Sequence, residues 1–151
     1  MAIEYRIGLL EECVEVIQSI DEFEHKESIE SLASRLKDKK YLIQVAEENH
    51  QLLAFKIGYE LDRDTFYSWL GGVSPFARKK GVAQNLLDYQ EAWVKQNGYS
   101  QLRVKSRNQF SNMLNLLIRN EYMIENYEKR SPLSDSRVHF IKQISASDQN
   151  K

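Results

Sequence analysis

A chain of 151 residues, 42% hydrophobic and 11% aromatic, is long enough for one compact domain with a real core and excludes a disordered protein. A formal net charge of −1 argues against a nucleic-acid binder held by a broad basic field. No apolar run approaches the roughly 20 residues of a membrane-spanning helix, so no membrane partner is expected. The opening Met1-Ala2-Ile3-Glu4-Tyr5 lacks the charged-then-apolar design of a secretory signal. The single cysteine, Cys13, rules out an internal disulfide framework and fits a cytoplasmic setting. Beside Val14, Val16 and Ile17 on a helix, it reads as a small buried hydrophobe rather than a nucleophile. His25, His50 and His139 show no metal-ligand spacing, and no metal is expected.

Ile3, Tyr5 and Ile7 alternate as in a strand. Residues 10–20 and 27–38 carry apolar side chains at helical spacing, Val14 with Ile17 and Ile29 with Leu32 and Leu36. Tyr41–Ala46, Gln51–Leu61 and Thr65–Val73 read as three strands. The short links Glu47–His50 and Asp62–Asp64 make them antiparallel neighbours. A helix from about Lys80 to Asn97 has Val82, Ala83, Leu86, Leu87, Tyr89, Trp93 and Val94 on one face, with Gln90 inside that apolar stripe. Asn97-Gly98 ends it with a residue suited to positive φ. Gln101–Lys105 is the next strand, and the strand, helix and strand make a parallel βαβ unit with a right-handed crossover. A helix over 109–120 and a hairpin of 122–130 with 136–144 complete a domain spanning 1–145. The polar residues 146–151 read as a frayed tail.

Arg78-Lys79-Lys80-Gly81-Val82-Ala83 carries the chemistry, because it lies between a strand and a helix. The first N–H groups of a helix have no internal partner, and the helix dipole adds positive character there. Gly81 lets an anion approach the backbone, and three cations stand beside it. Taken alone, the six residues also fit a solvated first turn. They form neither a Walker A loop nor a dinucleotide-binding glycine turn. Gly71-Gly72 marks either a bulge or a close approach of backbone near the end of the preceding strand.

The order β-α-α-β-β-β-α-β-α-β-β resembles the GNAT superfamily of N-acetyltransferases from Tyr5 to Ile144. Its most specific part is Gly72-Val73-Ser74-Pro75-Phe76-Ala77-Arg78-Lys79-Lys80-Gly81-Val82-Ala83, which is similar to the family's strand end, proline loop and Arg/Gln-x-x-Gly-x-Gly/Ala signature. The resemblance implies a mixed α/β (α+β) fold, mostly antiparallel, with a central parallel pair and helices on both faces. It implies that Gly72 and Val73 pair with the pantetheine arm of acetyl-CoA. The backbone from Arg78 to Ala83 would cradle the pyrophosphate, with Asn108 or Asn112 meeting the cofactor beyond the next strand. Two positions depart from the pattern. Leu117 stands where the family commonly has a tyrosine acid, and Glu121 where it has glycine.

Acetyl transfer to an amine needs a neutral amine, a donor for the thioester oxygen, and two reactants held together. A free amide near Gly72 or Val73 supplies the donor. Glu24, in the acidic loop Asp21-Glu22-Phe23-Glu24, is the candidate base, and Tyr67 the candidate relay or acid. A solvated acidic loop and a packed strand aromatic are the alternatives for these two. The expected partner is a small-molecule or peptide amine, and an acid-lined entrance favours a cationic one. A homodimer is compatible with these residues but not fixed by them. The competing expectations are a CoA-binding module without turnover and a structural protein that binds no CoA.

Overall fold

The computed structural model describes residues 2–21, 23 and 26–144, so Glu24 and the expected tail lie outside the described residues. The elements follow the expected order. They are β1 (Glu4–Ile7), α1 (Leu10–Gln18), α2 (Ile29–Leu36), β2 (Tyr41–Glu48), β3 (Gln51–Asp62), β4 (Thr65–Val73), α3 (Val82–Gln96), β5 (Gln101–Arg107), α4 (Ser111–Arg119), β6 (Met123–Glu128) and β7 (Arg137–Gln143). The strands form one mixed sheet in the order β1-β2-β3-β4-β5-β7-β6. β4 and β5 are parallel, as the crossover through α3 requires. The pairs β1–β2, β2–β3, β5–β7 and β6–β7 are antiparallel. The place of β7 between β5 and β6 goes beyond the sequence expectation, which gives the hairpin but not the side on which it docks.

The described chain divides into two compact units. The first is Met1–Glu60 with Trp69–Gln90. Its core sets Ala46, Leu53 and Ala54 of β2 and β3 against Ala77, Val82 and Leu86, with Ile3, Tyr5 and Val73 packed around them. The small Ala46 and Ala54 leave room for α3 to approach the sheet. On the opposite face of β2, Val45 sits so close to Gly8 that a Cβ there would come 2.6 Å from it. Arg6 ties β1 to α1 and β2, with its guanidinium 2.6 Å from Glu12 and 2.9 Å from Glu47. Cys13 is fully buried, and burial pushes its thiol up to about 12. It is the inert hydrophobe expected.

The second unit is Leu61–Ser68 with Glu91–Lys151. Phe66 packs on Trp93 and Tyr99, each with ring centroids 5.2 Å away. α3 ends as anticipated. Gly98 has φ 86°, its N–H donates to Lys95 O at 3.2 Å, and the Tyr99 N–H donates to Val94 O at 3.2 Å. α4 ends in the same way without a glycine. Glu121 has φ 69°, its N–H donates to Ile118 O at 3.0 Å, and the Tyr122 N–H donates to Leu117 O at 3.0 Å. Glu121 thus takes a conformation that suits glycine while carrying a glutamate side chain. A non-glycine residue there costs roughly 1–2 kcal/mol, and glycine's looser unfolded state returns about half of it. Glu121→Gly is therefore expected to raise stability by about 0.5–1 kcal/mol in urea unfolding. An unchanged or lower midpoint would show that the left-handed turn is not strained.

Candidate functional site

The site begins where β4 ends. Trp69 lies under Arg35 of α2, and a Cβ on Gly72 would point at Ile20 and Phe23, 2.7 and 3.1 Å away, just beyond α1. Residues three apart on a regular strand face opposite ways. Here both face α1 and α2, so β4 contains one extra residue between them. Gly71 marks the place, since a Cβ there would meet the backbone oxygen of Phe55 at 3.3 Å rather than either face. The glycine pair therefore carries a bulge at Gly71, where the Phe55 carbonyl comes close, and packs Gly72 against the Ile20 and Phe23 side chains. Val73 then turns toward the α3 cluster. The ladder between β4 and β5 pairs Thr65–Ser68 with Gln101–Val104, and β4 runs on to Val73 beyond it.

After β4 the Ser74 N–H donates to Leu53 O at 2.8 Å, and Pro75–Ala77 makes a 3-10 turn that buries Ala77. Arg78 folds back, its Nε donating to Val73 O at 3.3 Å. Lys79 and Gly81 both adopt left-handed φ, 69° and 77°. The helix accordingly starts at Val82, not Lys80, because these two residues leave the helical region. Val82, 2% exposed, anchors the first turn in the core, and the Asn85 N–H makes the first helical bond, to Gly81 O at 3.1 Å. Alternating left-handed residues turn successive N–H groups toward one side, the arrangement of an anion nest. Among the described residues, no N–H from Lys79 to Ala83 meets a protein acceptor. No atom lies within 4 Å of the place a Gly81 Cβ would take. The first turn of α3 carries no acid, so nothing there offsets its positive end. Lys80 Nζ lies 3.4 Å from Glu48, an exposed pair of little energy that a ligand easily displaces.

Of the remaining sequence candidates, Tyr67, Asn108 and Asn112 lie in the second unit. Tyr67 is half-buried on β4 opposite Arg103, with Lys105 Nζ 5.9 Å from its ring centre. Asn108 is exposed. Its N–H donates to Ser136 O at 2.7 Å and its side chain to Leu133 O at 3.4 Å, so it holds the end of β5 to the turn before β7. Asn112 is exposed in the first turn of α4, with no side-chain hydrogen bond among the described residues. Leu117 is 1% exposed. Gln90 is fully buried, and neither atom of its amide has a partner among the described residues. The left-handed Lys79 and the return of Arg78 to Val73 escape sequence reading. Pro75 signals a turn there, but no residue type announces positive φ at a lysine.

The family model described as acetyltransferase (GNAT) family matches residues 9–114, well over half of the chain. The chain belongs to this family. The match covers β4, the loop and α3, and stops short of Leu117 and Glu121. No curated protein sequence matches the chain. Solved GNAT structures share its fold at low identity. The ribosomal-protein-S18-alanine N-acetyltransferase from Escherichia coli has a TM-score of 0.85 at 15% identity, over 99% of both chains. Ard1 from Thermoplasma volcanium has a TM-score of 0.82 at 13% identity, over 95% of this chain and 99% of that one. A GNAT family acetyltransferase from Elizabethkingia anophelis with acetyl-CoA bound has a TM-score of 0.75 at 15% identity, over 93% and 97%.

Proposed function

We propose that this GNAT protein is an acetyl-CoA-dependent N-acetyltransferase that acts on a primary amine of a small molecule or peptide. The observation that carries the reading is the run of unpartnered N–H groups from Lys79 to Ala83, turned by two left-handed residues at the acid-free start of α3. That cradle fits a pyrophosphate, since charge-assisted bonds to backbone N–H groups are short and strong. The open space at Gly81 would be filled by any Cβ. Arg78, Lys79 and Lys80 supply the balancing charge, and Val82 and Ala83 the first helical amides. Gly72 and Val73 offer the backbone edge for the pantetheine arm, and the bulge at Gly71 frees that edge from regular pairing. Asn112, with its side chain unengaged, suits a contact to the cofactor better than Asn108.

Acetyl-CoA supplies an activated thioester whose thiolate leaves readily, since free thiols have a pKa near 8.5. The chain's own task is to hold the two reactants together and to place a backbone donor near the carbonyl oxygen. An acid is therefore worth less here than in amide hydrolysis. Tyr67 is the candidate relay and Glu24 the candidate base. A general acid or base contributes roughly 10²–10⁴-fold. Tyr67→Phe and Glu24→Gln are each expected to slow turnover by no more than about that range, with acetyl-CoA binding intact. A kcat loss well beyond it in either variant, measured across pH, would reveal an indispensable side chain. The lone cysteine supports a cytoplasmic place of work.

One observation favours a second reading, a CoA-binding module without turnover. Where the family's tyrosine acid commonly stands, Leu117 is buried in the core. The two readings separate in one assay. Acetyl-CoA should raise the melting temperature, and a mixed panel of primary amines should release free CoA thiol above the rate without amines. Stabilisation with no amine-dependent thiol would leave the binding module standing.

A further inference from the structure

Arg35 is an exposed cation held against two aromatic side chains. Its guanidinium carbon lies 4.7 Å from the centre of the Trp69 ring, and Nη1 donates to the Tyr59 hydroxyl at 3.3 Å. Tyr59, 6% exposed, meets Trp69 edge-on with centroids 5.9 Å apart. Lys39 Nζ stands 5.4 Å from the Tyr59 ring centre and adds a second positive charge. Among the described residues, no carboxylate pairs with Arg35. With Nη1 on the Tyr59 hydroxyl, the Nε and Nη2 edge of the guanidinium has no acceptor among the described residues, and that edge can receive a carboxylate. A flexible surface arginine loses side-chain entropy when it binds an anion, and this one is already ordered by its ring and hydroxyl contacts.

The place of Arg35 gives it a use. Trp69 and Gly72 face the same way across the Gly71 bulge, separated by about 10 Å of strand at ~3.3 Å per residue. On the reading proposed above, on which this inference rests, Gly72 and Val73 edge the pantetheine arm, whose end carries the acyl group. We propose that Arg35 binds a carboxylate on the acceptor, so that the substrate class is an amine carrying an anionic group about two or three peptide residues from its nitrogen. Asp21, exposed just beyond α1, complements this by favouring the ammonium end. The expected acceptor is thus zwitterionic rather than simply cationic, as the acidic loop alone implies.

Paired peptide amides with a free N-terminal alanine test this, with glutamate or glutamine at the second, third or fourth position. Thiol release is followed at saturating acetyl-CoA. At one of these positions the glutamate peptide should react about 10- to 100-fold faster in kcat/KM than its glutamine twin. In Arg35→Gln that ratio should fall toward one through the acceptor KM, with the KM for acetyl-CoA unmoved. Arg35→Lys should fall between, because it keeps the charge and loses the fork. Equal rates for the twins, or a preference that survives Arg35→Gln, would overturn the proposal. If no peptide turns over, the same pairs are titrated against Trp69 fluorescence in a Trp93→Phe background. A change produced by glutamate peptides only, and lost in Arg35→Gln, supports the proposal, and the absence of any carboxylate-dependent change overturns it. Failure of acetyl-CoA to bind would strike the acetyltransferase reading and leave this fluorescence result to stand by itself.

Discussion

Replacing Gly81 with valine is expected to abolish acetyl-CoA binding while leaving a folded protein. Gly81 has φ 77°, a region a β-branched residue adopts only under strain. The loop is exposed, and no neighbouring atom lies within 4 Å of the new Cβ, so the core is not disturbed. What is lost is the concavity. If the backbone keeps its course, the isopropyl group fills the space in which phosphate oxygens meet the amides of Lys79 to Ala83. If the backbone flips to relieve the strain, those amides no longer converge. Losing two charge-assisted hydrogen bonds at about 1.5–3 kcal/mol each weakens binding by at least about 100-fold. Calorimetry on the variant, with circular dichroism to confirm folding, checks this. Wild-type affinity in Gly81→Val would place the phosphates elsewhere.

Leu117→Ala should do the opposite, costing stability and sparing catalysis. Leu117 is 1% exposed, and its carbonyl accepts the Tyr122 N–H that closes α4. Tyr122 is 3% exposed and takes the place that an apolar partner of Leu117 takes in such helix ends. Removing a buried leucine side chain costs about 2–5 kcal/mol. The urea midpoint should fall accordingly, while kcat per folded molecule at 25 °C stays close to wild type. A fully folded variant with kcat reduced by more than about 100-fold would give the position a catalytic role.

Local chemistry was readable, and long-range geometry was not. β4 is legible to its last residue because an aromatic-rich run with Phe66, Tyr67 and Trp69 stands between the turn Asp62–Asp64 and Ser74-Pro75. Gly98 was legible because it follows a long amphipathic stripe. The start of α3 is displaced, since Lys79 and Gly81 both take positive φ and no residue type announces that conformation at a lysine. The side on which β7 docks depends on pairing with β5, which no local pattern encodes. Gly72 looked like a backbone feature, and its Cβ side proved to be filled by Ile20 and Phe23. Arg35 reads as one more charge on the outer face of α2, and only its contact with Trp69 gives it meaning. Gln90 stands inside the apolar stripe of α3, and its buried amide has no partner among the described residues.

The anion cradle before α3 is tested most directly by following backbone amide resonances of the uniformly ¹⁵N-labelled protein during titration with acetyl-CoA. The expected result is saturable shifts largest at Lys79, Lys80, Gly81, Val82 and Ala83, with a second set at Gly72 and Val73. Unmoved amides from Lys79 to Ala83 at millimolar acetyl-CoA, in a protein whose spectrum shows it folded, would contradict the account.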